Sequence, residues 1–194
     1  MALLSQRTAS ARGPVAVLCL ATMLAAVVAG AVPPAPAQAP VASEYQVKAA
    51  FLYNFAKFVE WPAPASAEPD GKFVIGVLGD DPFGSDLDEV IRGKTVNGQP
   101  LELRRFQPAE DVRGCHIVFI SASESGRLEG ILASLRQSSV LTVADMPGFS
   151  ERGGMVTLLR KGTRVGFEIN TVPAIEAGLR ISSKLLQLAD TVRQ

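Results

Sequence analysis

The 194 residues carry 19 Lys+Arg against 19 Asp+Glu, with one histidine and two cysteines, and 47% of them are apolar. Charges of both signs are scattered with no basic block, which excludes a phosphate-neutralising nucleic-acid surface. So few His and Cys cannot supply the three or four soft ligands of a zinc site, so no metal and no cofactor is expected.

The chain opens with Arg7 and Arg12, runs through an uncharged apolar stretch from Val15 to Ala31, and continues into "VPPAPAQAP". A basic start, an apolar middle and small-residue exits at Ala29-Gly30-Ala31 or Ala35-Pro36-Ala37 make the pattern of an export signal. The apolar run is close to the roughly 17 to 25 residues that span a bilayer. Its alanine richness and the Ala-x-Ala exits right behind it favour cleavage, after Ala31 or Ala37, over an uncleaved anchor. Residues 1–37 are therefore read as signal peptide and the start of a Pro/Ala linker, and 43–194 as one domain delivered to the periplasm. Removing Arg7 and Arg12 leaves 17 Lys+Arg against 19 Asp+Glu, so the mature chain is slightly acidic. Its one cysteine, Cys115, excludes an intramolecular disulfide. About 155 residues suffice for a single core.

Ser43 and Gln46 have the spacing of a capping box, and Val47, Ala50, Phe51, Asn54, Phe55 and Phe58 follow helical periodicity up to a stop at Pro62. With Tyr53 and Trp61, this segment holds five aromatic side chains in sixteen positions, although the whole chain is only 6% aromatic. The stripe is read as a lid on a sheet, with Lys48, Lys57 and Glu60 in water. "KFVIGVLGD", "CHIVFIS" and "VLTVAD" read as strands apolar on both faces. "PFGSDLDEVIR" and Ser123–Gln137 read as helices between them, and Asn97-Gly98 turns into a further strand through Leu101 and Leu103. "MVTLLRKG" and "RVGFEIN" meet across Lys161-Gly162 as a hairpin, and Val172–Val192 reads as helix with a break near Arg180–Ser183. Strands alternating with helices indicate an α/β fold: a single domain with a mixed, mostly parallel, Rossmann-like sheet, helices on both faces, and a C-terminal β-hairpin plus helix.

No catalytic set assembles, so no enzyme is expected. The glycines of "GVLGDDPFG" do not fit G-x-G-x-x-G, and Asp80 and Asp81 would repel a pyrophosphate. Ser121, Ser123 and Ser125 lack a base, because His116 begins the same strand that they end, and they read instead as a helix cap. In "RVGFEIN", Val165, Phe167 and Ile169 share one face, so Glu168 and Asn170 share the other. A carboxylate packed there needs a partner, and Arg180 on the returning helix is the one considered. The pair either docks the C-terminal helix or, with Asn170, forms the polar floor of a ligand pocket. The loop "MPGF" offers Met146 and Phe149 as exposed apolar residues for a partner.

"VKAAFLYNFAKFVEWP", "GVLGDDPFG", "CHIVFIS", "VLTVADMPGF" with "GGMVTLL", and "VGFEINTVPAIEAGLRISSKLLQLA" resemble the YfiR family of bacterial periplasmic proteins over nearly all of residues 44–190. The resemblance implies a regulator that restrains a membrane-bound diguanylate cyclase through its periplasmic sensor region, limiting cyclic di-GMP and biofilm formation, and that dimerises. The partner implied is thus the sensor domain of a membrane diguanylate cyclase or kinase. A small-molecule receptor that uses Glu168, Asn170 and Arg180 is the alternative. The resemblance also implies that Cys115 is one half of a disulfide pair whose other half is replaced here by Gly76.

Overall fold

The computed structural model describes residues 42–62, 71–108 and 110–194, all within one compact unit, Val41–Gln194. The leader and its cleavage sites lie outside the described residues, as does most of the loop expected at 62–71.

The first helix, α1 (Glu44–Phe58), opens with the capping box read from the sequence: Ser43 Oγ accepts from the Gln46 amide, and the Ser43 amide donates to Gln46 Oε1, each at 3.0 Å. The helix stops earlier than Pro62. Val59–Glu60 extend as β1 and pair antiparallel with β9 (Arg180–Ile181), a strand taken from what the sequence read as continuous helix.

The main sheet is built from β2 (Phe73–Leu78), β3 (Thr95–Val96), β4 (Gln99–Phe106), β5 (Ile117–Ile120), β6 (Leu141–Ala144), β7 (Val156–Lys161), β8 (Arg164–Asn170) and β10 (Thr191–Arg193). Their spatial order is β10-β8-β7-β6-β5-β2-β4-β3. The five strands β4, β2, β5, β6 and β7 run parallel. β8 returns antiparallel through the expected hairpin, with Lys161 facing Arg164 across its mouth. At the other end, Asn97 (φ 52°) and Gly98 (φ 81°) form the tight turn from β3 into β4, a turn that requires positive φ at both positions.

Alternation along the buried strands assigns side chains to two cores. Phe73, Ile75 and Val77 of β2 pack with Leu52, Phe55 and Ala56 of α1, and with Leu87 and Ile91 of α2 (Asp86–Ile91). Val74 and Leu78 face the other way, against Leu128 and Leu135 of α3 (Leu128–Leu135), which follows a 3-10 turn over Ala122–Arg127. Helices thus cover both faces, as the apolar strands required. The C-terminal part departs from the expected single helix. It is α4 (Thr171–Glu176), then β9, then α5 (Ser183–Leu188), then β10 laid parallel on β8. Gly178 (φ 74°) ends α4, and the Ser182 hydroxyl caps α5 by accepting from the Leu185 amide.

The lid reading of α1 holds for Phe55, which is fully buried with its ring 5.3 Å from that of Phe167. Phe58 is only half-buried. Phe55→Ala is expected to cost about 3–5 kcal/mol and Phe58→Ala about 1–2 kcal/mol, as measured by urea unfolding. Equal losses at the two positions would contradict the packing.

Candidate functional site

In an open α/β sheet the natural ligand crevice lies beyond the carboxyl ends of the strands where the winding reverses. Here that point lies between β2 and β5, which have β4 and β6 on their outer sides. The crevice is filled by the protein itself. Ser123 Oγ accepts from the Asp80 amide at 3.0 Å, and a Cβ on Gly79 would sit 2.4 Å from Ser123 Oγ and 2.9 Å from the Glu124 side chain. Glu124 is buried and pairs with Arg127. Ser121 caps the 3-10 turn, as its position after the strand suggested. His116 stands at the other end of β5, stacked on Phe73 at 4.3 Å, and its Nδ1 accepts from the Val74 amide at 3.1 Å. That bond leaves the ring's proton on Nε2 in the neutral form.

Lys48 faces the interior, against the expectation that it lies in water. It is 3% exposed, and its ammonium meets Asp145 at 2.6 Å, Glu44 at 2.7 Å and the Tyr45 ring at 4.4 Å. Tyr45 OH donates to the same Asp145 oxygen, and Arg160 reaches Glu44 from β7. Burial disfavours charge on Lys48, but hydrogen bonds to Asp145 and Glu44 outweigh it and hold its pKa above the ordinary value. The network ties the start of α1 to the carboxyl end of β6. Only the i, i+4 spacing of Glu44 and Lys48 could have hinted at it.

Of the residues expected at a site, Asn170 lines a cavity of 620 Å³ between α3, the Ser150–Gly153 turn, α4 and Arg193 at the end of β10. Its amide is already engaged: Nδ2 donates to the Ser150 carbonyl at 2.9 Å, and Oδ1 accepts from the Val172 amide to cap α4. Glu168 does not meet Arg180. Its cationic neighbour is Arg193, 3.9 Å away, because β10 rather than a helix lies beside β8. Arg180 is exposed on β9, in register with Glu60. Met146 and Phe149 are 5% and 0% exposed, which corrects the expectation of an exposed apolar loop. The turn folds back so that both side chains complete the α3-side core, and a Cβ on Gly154 would strike the Phe149 ring at 2.2 Å. Among the described residues no group of three or more His, Cys, Asp or Glu is arranged to hold a metal ion, and no helix is long and apolar enough to cross a membrane.

The C-terminal strand is latched by Asp190, which sequence reading missed. Its amide donates to the Phe167 carbonyl at 2.8 Å, and its carboxylate accepts from the Phe167 amide at 3.2 Å and from Arg164 at 2.7 Å, with Lys161 3.4 Å away. Gly166 makes this approach possible, since a Cβ there would lie 1.8 Å from the carboxylate.

These features define a three-layer α/β domain whose strand-end crevice is closed and whose polar residues cap helices and dock segments. The chain belongs to the YfiR/HmsC-like family, whose profile matches residues 45–190. It is similar in fold to the crystal structure of a conserved domain protein from Vibrio cholerae O1 biovar El Tor strain N16961, at 13% identity and a TM-score of 0.52. That match covers 78% of this chain and 60% of the other. No curated protein matches the sequence. The resemblance placed Gly76 opposite Cys115, and the structure puts a Cβ on Gly76 2.7 Å from the buried Cys115 Sγ.

A double-mutant cycle should give about 0.5–1 kcal/mol of coupling for Asp190 with the exposed Arg164 and none for Glu168 with Arg180. Burial opposes ionisation of Asp190, but hydrogen bonds from Lys161 and Arg164 outweigh it and keep its pKa below the ordinary value. A depressed folded pKa stabilises above the unfolded value, roughly pH 4, and that contribution is lost as pH falls through the folded value. Asp190→Asn should therefore weaken the acid dependence of unfolding. An unchanged acid limb would remove the latch from that account.

Proposed function

We propose that this protein is a periplasmic, non-catalytic regulator that binds and inhibits a membrane-bound signalling enzyme, a diguanylate cyclase, through that enzyme's periplasmic sensor domain. Membership of the YfiR/HmsC-like family across residues 45–190 carries this reading. The export pattern of residues 1–37 supports the compartment, and the filled crevice at the strand ends favours binding through an outer surface over turnover of a nucleotide. An inhibitor shifts its target's states only by its differential affinity for them. The protein therefore holds the sensor in the conformation of the inactive cyclase, either as a monomer or as a homodimer.

Deleting the gene is expected to raise cyclic di-GMP and surface attachment, and only while the cyclase gene is intact. Binding to the isolated sensor should be micromolar or tighter, about −8 kcal/mol. Unchanged cyclic di-GMP in the deletion strain, with the cyclase expressed, overturns the proposal.

The 620 Å³ cavity beside Asn170 favours one second reading, a small-molecule receptor whose ligand touches Asn170 and Arg193, with Glu168 acting through Arg193. A ligand that stabilises the isolated protein by RT ln(1 + [L]/Kd) in thermal unfolding would support it.

A further inference from the structure

Most lysines and arginines of the described residues have a carboxylate at ion-pair distance. Lys57, Lys94 and Lys184 meet none among the described residues, and they converge on one face around two half-buried rings. Lys94 Nζ stands 4.3 Å from the Tyr53 centroid. Lys57 lies 5.4 Å from the same ring and 6.0 Å from Phe58, and Lys184 lies 5.3 Å from Phe58. The row runs directly into β9: the Ser182 amide donates to the Phe58 carbonyl at 3.0 Å, and exposed Arg180 adds a fourth cation. Glu60, opposite Arg180 in the ladder, is exposed and makes no ion pair with it. Beside this row a 280 Å³ groove opens between α4, β9 and α5, lined by Leu179, Ile181 and Leu186, with Ile175 at its lip 70% exposed.

A ring face holds an ammonium in place without cancelling its charge. Like charges gathered on one face repel one another, and this repulsion is relieved when a counter-charge arrives from outside. The adjoining apolar groove with a protruding Ile175 supplies the other half of an interface, a desolvated anchor beside a charged rim. We propose that this face, from Lys94 across Tyr53, Lys57, Phe58 and Lys184 to Arg180 and the Ile175 groove, docks an acidic segment of a protein partner that places an apolar side chain in the groove and carboxylates on the lysines. An anionic bilayer fits less well. The lysine ammonium groups stand over the Tyr53 and Phe58 rings, so the rings could dip into a membrane only by taking charge in with them, and four cations alone attract such a surface only weakly. The inference deepens the regulatory reading above and rests on it, the partner being the sensor domain that the protein inhibits.

The test uses the purified exported chain and, as probes, the periplasmic domains of the membrane diguanylate cyclases of the same organism, each produced separately as a soluble protein. All three lysines are exposed, so Lys57→Glu/Lys94→Glu/Lys184→Glu should leave thermal unfolding nearly unchanged. The triple variant should bind the cognate domain at least about tenfold more weakly and lose the salt dependence shown by the wild type. Lys57→Gln/Lys94→Gln/Lys184→Gln should fall between the two, Ile175→Ser should weaken binding with the salt dependence intact, and Arg113→Glu should bind as wild type. Wild-type affinity retained by the Glu triple variant overturns this surface and leaves the regulatory reading standing. Wild-type protein that binds none of the domains overturns both. Binding instead to phosphatidylglycerol/phosphatidylethanolamine vesicles, lost in the triple variant, makes the membrane the occupant and overturns the protein segment.

Discussion

Every residue of β2 is buried, and its side chains alternate between two cores. A strand in that position satisfies its backbone only through its neighbours and buries its side chains only if a layer lies on each face. The rest of the architecture follows from this constraint. α1 and α2 close one face and α3 the other, and the parallel order places β4 and β5 at the flanks of β2. The same closeness brings Gly79 against Ser123 and Glu124 and fills the crevice that such sheets usually leave open. A fold that commonly presents a nucleotide site therefore offers none at that position, and the cavity beside Asn170 opens farther along the α3 face, toward α4 and β10.

The legible parts of the fold were those with a strong local period. The capping box at Ser43, the doubly apolar strands, the Asn97-Gly98 turn and the Lys161-Gly162 hairpin all have causes within a few residues of sequence. The C-terminal region does not. Val172–Val192 has enough helical spacing to pass as one helix, yet Gly178 interrupts it, and two- and three-residue strands form because β1 and β8 offer open edges. Pairing of that kind is decided by distant chain, which no local window contains. The exchange of helix for strand extends into the site. Once β10 rather than a helix lies beside β8, Arg193 takes the place next to Glu168 that was assigned to Arg180.

Charge placement shows the same limit. Lys48 looks like a solvent-facing residue because the helix period puts it off the aromatic stripe, but Asp145 arrives from β6, nearly a hundred residues on, and makes its burial tolerable. Met146 and Phe149 look exposed because they sit in a Pro/Gly loop, yet that loop folds inward over α3. Composition reports how polar a segment is, whereas burial depends on what closes over it.

The small strand β10 has a consequence beyond its own few hydrogen bonds. It occupies the outer edge of β8, the last long strand of the sheet on that side. An uncovered strand edge is a template on which another chain can extend the sheet. Asp190, held to the Phe167 backbone and flanked by Arg164 and Lys161, carries the cover one residue past the ladder: the Phe167–Asn170 stretch of β8 is spent within the molecule, and the edge left to the outside on that end shortens to the three residues of β10 and the start of β8.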